Sequence, residues 1–160
     1  MTAEQPEIRD DAPDGPAARA LFAEYMEFIR VRLDLPDDAV APEHIFASEH
    51  VFSGAGAAWL VAFGEHGLAV GCGGLRVVEP GLGEVKRMFV SAPARRSGLG
   101  RRLLRELERR AAGAGMARVR VLTTAMLRES RALYAAEGYR EIERVQPAQG
   151  PVEIWLEKAL

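Results

Sequence analysis

The sequence lacks the features that mark disulfide-rich, secreted and membrane-spanning proteins. It contains one cysteine, Cys72, so no disulfide can form within the chain, and we expect a reducing, cytoplasmic location. No apolar run is long enough to cross a bilayer, and the first residues have neither the basic nor the apolar segment of a secretory signal. The three histidines have no metal-ligand spacing. We therefore expect no metal cofactor and no membrane partner.

What the sequence does contain is the composition of one globular domain. Of its 160 residues, 48% are hydrophobic and 28% are charged, which allows one sizeable core. We expect a single domain over residues 1–160, with residues 1–6 flexible. The net charge of −2 hides an asymmetry, since residues 1–80 hold 14 acidic and 5 basic residues whereas residues 81–160 hold 9 and 16. The basic half predicts an anionic ligand on that side.

Hydrophobic spacing and turn residues predict a mixed α/β fold. The predicted elements are a short strand near Ile8, helices over 16–36 and 42–46, strands over 59–64, 68–78 and 84–90, a helix over 98–113, a strand over 119–123, a helix over 128–137, and strands over 139–145 and 152–157. This order is β-α-α-β-β-β-α-β-α-β-β. It predicts a mixed, mostly antiparallel sheet of six or seven strands flanked by about four helices.

A turn rich in glycine and arginine joins the predicted strand 84–90 to the predicted helix 98–113. We call residues 95–101, Arg-Arg-Ser-Gly-Leu-Gly-Arg, the phosphate turn. A helix N-terminus has unpaired N–H groups and a partial positive charge, and glycine lets an anion approach the backbone closely. No lysine follows the second glycine, and Leu103 stands where a dinucleotide fingerprint needs glycine or alanine. The turn therefore predicts a phosphate site of neither of those types.

Two motifs in this half of the chain carry a resemblance to a known family. The pattern Arg95-x-x-Gly98-x-Gly100, entered from a strand and opening a helix, resembles motif A of the GNAT acetyltransferase superfamily. Residues 132–139, Ala-Leu-Tyr-Ala-Ala-Glu-Gly-Tyr, are similar to motif B of the same family. The order of strands and helices fits the GNAT fold over nearly the whole chain, and the sequence-specific part runs over 84–139.

The resemblance implies that the chain uses acetyl-CoA as cosubstrate. In the family, acetyl-CoA lies where two parallel strands diverge, which here are the strands 84–90 and 119–123. Its pantetheine arm pairs with strand backbone, as an added strand would. The residues that match these pantetheine positions are Met88, Phe89 and Val90. The residues that match the pyrophosphate site are Arg95, Arg96, Ser97, Gly98, Leu99, Gly100 and Arg101.

One position departs from the family pattern. Many members have an asparagine seven residues before the motif B tyrosine, and this chain has Leu127 there. Ser130 is the nearest polar residue that could take over the asparagine's hydrogen bond, so we include it among the expected cosubstrate-binding residues.

The resemblance also implies catalytic residues. Tyr134 matches the family tyrosine that protonates the departing sulfur, and a phenol has a pKa close enough to that of a thiol for this transfer. Counted back from motif A without gaps, Glu84 falls on the glutamate that is the general base in the histone-acetylating branch. A water molecule or several weak bases could serve instead, and Glu84 could simply be an acid at a strand end.

The expected activity is N-acetylation of a primary amine of a small molecule, amino acid or peptide. The acceptor's charge stays open. Basic residues favour an acceptor with a carboxylate; these are Lys86, Arg87 and Arg144. Acidic residues of the predicted N-terminal helices favour a cationic acceptor such as a polyamine, an aminoglycoside or a lysine-bearing peptide. These acidic residues are Glu24, Glu27, Asp34, Asp37, Asp38, Glu43 and Glu49.

Two other functions compete with this one. A non-catalytic acyl-CoA-binding module with the same fold is the alternative, although such a module has no need of Tyr134. The arginine-rich helix alternates with Glu106 and Glu108 and lacks interleaved aromatic residues, so we expect no nucleic-acid partner. Relatives of this kind often form homodimers, so a homodimer is a further expectation.

Overall fold

The structure, a computed structural model, describes residues 4–38, 49–147 and 153–160. In these residues, one sheet of seven strands is packed against three α-helices. The strands are β1 (Glu7–Asp10), β2 (Ala58–Phe63), β3 (Ala69–Glu79), β4 (Leu82–Val90), β5 (Arg118–Thr124), β6 (Arg140–Ile142) and β7 (Glu153–Ala159). The helices are α1 (Pro16–Arg32), α2 (Leu99–Gly113) and α3 (Arg128–Ala136).

The sheet is mixed and mostly antiparallel. Its strand order is β1-β2-β3-β4-β5-β7-β6, so the last strand of the chain lies between β5 and β6. The pair β4–β5 is parallel, and all other neighbouring pairs among the described strands are antiparallel. This confirms the predicted fold class, and it places the one parallel pair where the phosphate turn begins.

Helix α2 covers one face of the sheet because its apolar residues recur on one side. Leu99, Leu103 and Leu107 are at most 1% exposed and pack in a core with Val85 and Val121 of the central strands. Burying one leucine side chain contributes about 2 kcal/mol. The arginines between these leucines point to the polar side, so the predicted amphipathic helix is confirmed. Helix α3 joins the same core.

Helix α1 covers the other face. Leu21 and Phe22 pack with Trp59 of β2 and Phe89 of β4 in a second core. Pro16 lies in the first turn of the helix, where its missing N–H costs no hydrogen bond. The helix ends at Arg32, earlier than the predicted end at residue 36, because the left-handed backbone of Asp34 (φ 50°) stops it.

The other predicted elements agree with the structure to within a few residues, with one exception. The strand predicted over 139–145 is shortened to β6, three residues long. The predicted helix over 42–46, residues 1–3 of the segment expected to be flexible, and residue 152 of the last predicted strand lie outside the described residues. No helix in the described ranges combines the length and the apolar character required to span a bilayer.

Candidate active site

The sheet opens at the carboxyl ends of its two parallel strands. Pairing between β4 and β5 starts at Leu82 with Arg118 and ends at Val85 with Val121, so the last residues of both strands do not pair with each other. A bulge follows at once, because β3 pairs Gly74 with Lys86 but Cys72 with Phe89, which leaves two residues of β4 opposite one of β3. One of the two, Arg87, has a left-handed backbone (φ 58°). Such a bulge bends the strand, which separates it from β5.

A cavity of about 230 Å³ occupies this opening. Both diverging strands, α1, α3 and the start of α2 contribute to its wall. The residues that line it are Tyr25, Phe28, Val85, Lys86, Arg87, Met88, Phe89, Val90, Arg95, Gly100, Leu122, Thr123, Leu127, Glu129, Ser130, Leu133 and Tyr134. The cavity therefore brings together six of the residues proposed from the sequence as cosubstrate-binding, and also Tyr134.

The phosphate turn lies between β4 and α2 and exposes a row of backbone donors. Among the described residues, no backbone carbonyl accepts a hydrogen bond from the N–H groups of residues 96–101; the first such bond of α2 runs from Arg102 to Gly98. Arg96 (φ 62°) and Gly98 (φ 81°) both have left-handed backbones, which turns successive N–H groups toward one side. Together with the partial positive charge of the α2 N-terminus, these N–H groups can bind an anion.

The turn's side chains are placed differently from its backbone. Arg95 folds back toward the cavity, where its Nε donates to the Val90 carbonyl at 2.9 Å and its guanidinium lies 4.6 Å from the Phe28 ring. Arg101 is ion-paired with Glu137 of the α3 C-terminus at 2.7 Å. Leu99 is buried in the core, and the Ser97 hydroxyl donates to the carbonyl of Ala94, the residue just before the turn. Of the proposed pyrophosphate residues, Arg95 and Gly100 line the cavity.

Tyr134 lies on α3 with its side chain inside the protein. It is 5% exposed, and its ring packs edge-on against Tyr139, with centroids 5.5 Å apart. Burial raises the pKa of the Tyr134 phenol above its usual value, with a smaller contribution from Tyr25. The side chain therefore stays protonated at neutral pH and has a proton to donate inside the cavity.

Glu84 lies on β4 and does not line the cavity. Its carboxylate is buried and accepts hydrogen bonds from Arg120 Nε at 2.8 Å and from Arg76 Nε at 3.3 Å and Nη2 at 3.2 Å. Burial acts to raise the pKa of the Glu84 carboxyl, but the hydrogen bonds from the two arginines outweigh burial and hold it below its usual value. A carboxylate held in this way is a weak base.

Charged residues around the cavity are predominantly basic. Lys86, Arg87 and Arg95 contribute to its wall, and burial lowers the pKa of Arg87 to about 10, which still leaves the side chain protonated at neutral pH. Glu129 is the acidic residue of the lining, and its carboxylate accepts hydrogen bonds from both Nη atoms of Arg32 at 3.2 and 2.9 Å. The hydrogen bonds from Arg32 lower the pKa of Glu129.

The one cysteine of the chain lies in the core that α1 forms with the sheet. Cys72 is buried, its thiol donates to the Arg87 carbonyl at 3.5 Å, and burial raises its pKa to about 12. The thiolate form, which is the nucleophile, is therefore scarce at neutral pH. The described residues contain no group of three or more histidine, cysteine, aspartate or glutamate side chains that could hold a metal ion.

The opening between the diverging ends of β4 and β5, here called the wedge, lies beside the free N–H groups of the phosphate turn and is lined by Tyr134. The model of the Acetyltransferase (GNAT) family matches residues 17–139. The chain belongs to this family. A curated relative, the IAA acetyltransferase of Azospirillum brasilense, is 39% identical over 97 residues, which are 59% of this chain and 63% of the relative. The matched part thus spans just under two thirds of that relative's length.

Solved GNAT structures share the fold over almost the whole chain. A GNAT-family acetyltransferase from Staphylococcus aureus Mu50 is 18% identical, covers 96% of this chain and 98% of its own, and has a TM-score of 0.80. A phosphinothricin acetyltransferase from Sinorhizobium meliloti, solved in complex with acetyl-CoA, is 20% identical, covers 98% of this chain and 89% of its own, and has a TM-score of 0.72. The family model thus places the chain among the GNAT acetyltransferases, and the solved structures have the same fold.

The GNAT motifs did not reveal the whole lining of the cavity. Tyr25 and Phe28 of α1 belong to it because α1 crosses the sheet beside β4, and this packing cannot be read from the spacing of apolar residues. Thr123 also lines it, at the end of β5. Thr123 faces the same side of β5 as Val119 and Val121, and a threonine in a strand gives no sign of a site in the sequence alone.

Proposed function

We propose that this enzyme transfers the acetyl group of acetyl-CoA to a primary amine of a small molecule, amino acid or peptide. The observation that supports it best is that one cavity connects the phosphate turn with Tyr134. Its lining includes Gly100, beside the free N–H groups of the turn, then Met88–Val90, and Tyr134. A ligand with a pyrophosphate at one end and a thioester at the other matches this lining. The phosphate turn would bind the pyrophosphate, and the unpaired edge of β4 would bind the pantetheine amides.

The proposed reaction is direct attack. The amine nitrogen bonds to the thioester carbonyl carbon, the tetrahedral intermediate collapses, and the carbon–sulfur bond breaks. The Tyr134 hydroxyl gives its proton to the departing sulfur, and solvent later returns a proton to the phenolate. The Tyr134 phenol is protonated at neutral pH, so its proton is available when the thiolate forms beside it. Burial raises the pKa of the phenol, and it also raises the proton affinity of a thiolate in the same cavity.

The proton of the attacking amine goes to water in this proposal. Glu84 was the expected base, but its carboxylate is bound by Arg76 and Arg120 and lies outside the cavity lining. Glu129 lies in the lining, but Arg32 holds its carboxylate. Each of these acids has a lowered pKa, which makes it a poorer proton acceptor. We therefore assign Glu84 a structural role, in which its carboxylate holds β3, β4 and β5 together. We do not assign it the role of the base that deprotonates the amine.

The acceptor we favour is an amine that also carries a carboxylate. Three basic residues line the cavity, against one acidic residue that is already ion-paired. The acidic residues of α1 that favoured a cationic acceptor do not line it: Glu24 is exposed, and Glu27 is bound to Arg30 at 2.8 Å. An excess of positive charge in a partly enclosed site attracts an anionic group and repels a polyamine.

A thiol-release assay with matched acceptors tests this preference. Each amino acid is compared with its amide, which has the same amine but no carboxylate. We expect larger kcat/KM values for the amino acids, and Lys86→Gln should raise their KM about threefold while leaving the amides unchanged. Lys158→Gln is the control, because Lys158 pairs with Glu108 away from the cavity. Faster turnover of polyamines, unaffected by Lys86→Gln, would overturn the preference.

A further inference from the structure

Thr123 places a hydroxyl group at an apolar position of β5. Every second side chain of β5 faces the core. Val119 and Val121 are 0% exposed, and Thr123 is 6% exposed. The Thr123 Oγ1 atom is buried and has no hydrogen-bond partner. A valine would fill nearly the same space without a polar atom. Because burying an unpartnered hydroxyl costs free energy, the fold alone gives no reason for threonine at this position.

A reason for a hydroxyl at this position comes from where β4 and β5 stop pairing. The last β4–β5 pair joins Val85 to Val121, so Thr123 lies two residues into the part of β5 that has separated from β4. There it lines the cavity, on the opposite side of the wedge from Met88–Val90. Tyr134 lines the same cavity from α3.

No other hydroxyl in the described ranges shares this combination. The buried hydroxyls of Ser91 and Tyr139 also lack partners, but neither residue lines the wedge cavity. Ser130 lines the cavity and is half-buried, so water can reach it. Among the fully buried hydroxyls without a partner in the described ranges, Thr123 is thus the one whose residue lines the cavity.

We propose that the Thr123 hydroxyl finds its missing partner in bound acyl-CoA, through a hydrogen bond to an amide N–H or a carbonyl group of the pantetheine arm. This inference rests on the proposed use of acetyl-CoA. The arm offers both kinds of partner, since a hydroxyl can donate to a carbonyl and accept from an amide N–H. By holding the arm from the β5 side, Thr123 acts with the β4 backbone to position the thioester near Tyr134.

The test compares Thr123→Val with the wild type in two measurements. The melting temperature without ligand should not fall, whereas the affinity for the cosubstrate should. Without ligand, Thr123→Val should melt at the same temperature or higher, because it removes a buried unpartnered hydroxyl. Its Kd for CoA, by calorimetry, and its KM for acetyl-CoA should each rise about tenfold. Thr123→Ser, which keeps the hydroxyl, should stay within about threefold of the wild type. The KM for the amine should not change.

Other results overturn the inference. If Thr123→Val binds CoA as tightly as the wild type, the hydroxyl does not contact the cosubstrate. If only the KM for the amine rises, the hydroxyl contacts the acceptor. If Thr123→Val fails to fold, Thr123→Ala and Thr123→Ser replace the comparison, since they differ by one oxygen; equal Kd values for CoA in that pair contradict the proposal. A wild type that neither binds CoA nor releases thiol would refute the proposed function itself, which is a separate outcome.

Discussion

Glu84 on β4 and Arg120 on β5 are joined by a 2.8 Å hydrogen bond across the paired half of the parallel strands. Arg76 on β3 holds the same carboxylate, so one buried acid connects three neighbouring strands just below the point where the wedge opens. Arg120 in turn lies 5.0 Å from the Trp155 ring on β7. This cluster holds β3, β4 and β5 together where β4 and β5 are still paired. The cavity begins beyond the cluster, where β4 and β5 separate.

Replacing Glu84 should therefore affect stability more than chemistry. Glu84→Gln leaves two arginines without their shared carboxylate, and we expect the free energy of unfolding at pH 7 to fall by about 3 kcal/mol in urea denaturation. Acetyl-transfer rates of the folded variant at 25 °C should stay within about threefold of the wild type. Glu141→Gln, at an exposed position of β6, is the control and should change neither quantity. A folded Glu84→Gln protein without activity would restore Glu84 as the base.

The same carboxylate should make stability depend on pH in the acidic range. Because the pKa of Glu84 is lower in the folded protein than in the unfolded chain, its contribution is fully present above the unfolded value of about 4.3. It is lost as the pH falls through the folded value. The difference in unfolding free energy between wild type and Glu84→Gln should therefore shrink steadily when denaturation is measured at decreasing pH below about 4. A constant difference would contradict the lowered pKa.

Two glycines, one inside the phosphate turn and one outside it, allow a matched test of that turn. Gly98 (φ 81°) and Gly115 (φ 82°) both need left-handed backbones, and no heavy atom lies within 4 Å of the Cβ that alanine would add at either. Alanine should therefore destabilise the protein by about 1 kcal/mol at each position. Only Gly98→Ala should also weaken CoA binding, about tenfold by calorimetry, because it disturbs the N–H groups aimed at the pyrophosphate. Equal CoA affinities for the two variants would place the pyrophosphate elsewhere.

Water as the proton acceptor predicts a particular pH–rate profile. Below the pKa of the acceptor amine, kcat/KM should rise about tenfold per pH unit, because only the neutral amine attacks. With an acceptor whose amine has a lower pKa, the rising limb should shift to lower pH by the difference between the two amine pKa values. Tyr134 should not limit the rate below about pH 10, because burial raises its pKa. A rising limb that stays fixed when the acceptor changes would reveal a base supplied by the enzyme.

Much of the fold followed from local signals in the sequence. The leucines of α2, the proline at the start of α1 and the glycine turns between strands each have a local physical cause, and the predicted elements over these segments agree with the structure. The end of α1 was placed too late because the backbone of Asp34 is left-handed, which sequence spacing does not reveal. The position of β7 between β5 and β6 depends on long-range pairing and was not predicted.

The site was predictable where a motif is contiguous and not where it depends on strand register. Arg95, Gly100 and Tyr134 sit in motifs, and all three line the cavity. The environment of Glu84 is set by Arg76 and Arg120, which lie 8 and 36 residues away and meet it only through the pairing of three strands. Counting positions from motif A could show that a glutamate stands there, but not that two arginines hold it.

The most direct test of the central claim is thiol release from acetyl-CoA by Tyr134→Phe, measured beside Tyr139→Phe. The two rings pack against each other and both are buried, but only Tyr134 lines the wedge cavity. With an accepted amine, Tyr134→Phe should lower kcat about 100-fold or more while the Kd for CoA stays near the wild-type value. Tyr139→Phe should keep kcat within about threefold. Equal kcat values for Tyr134→Phe and the wild type would contradict proton donation by Tyr134, and wild-type protein that releases no thiol with any amine would contradict acetyl transfer.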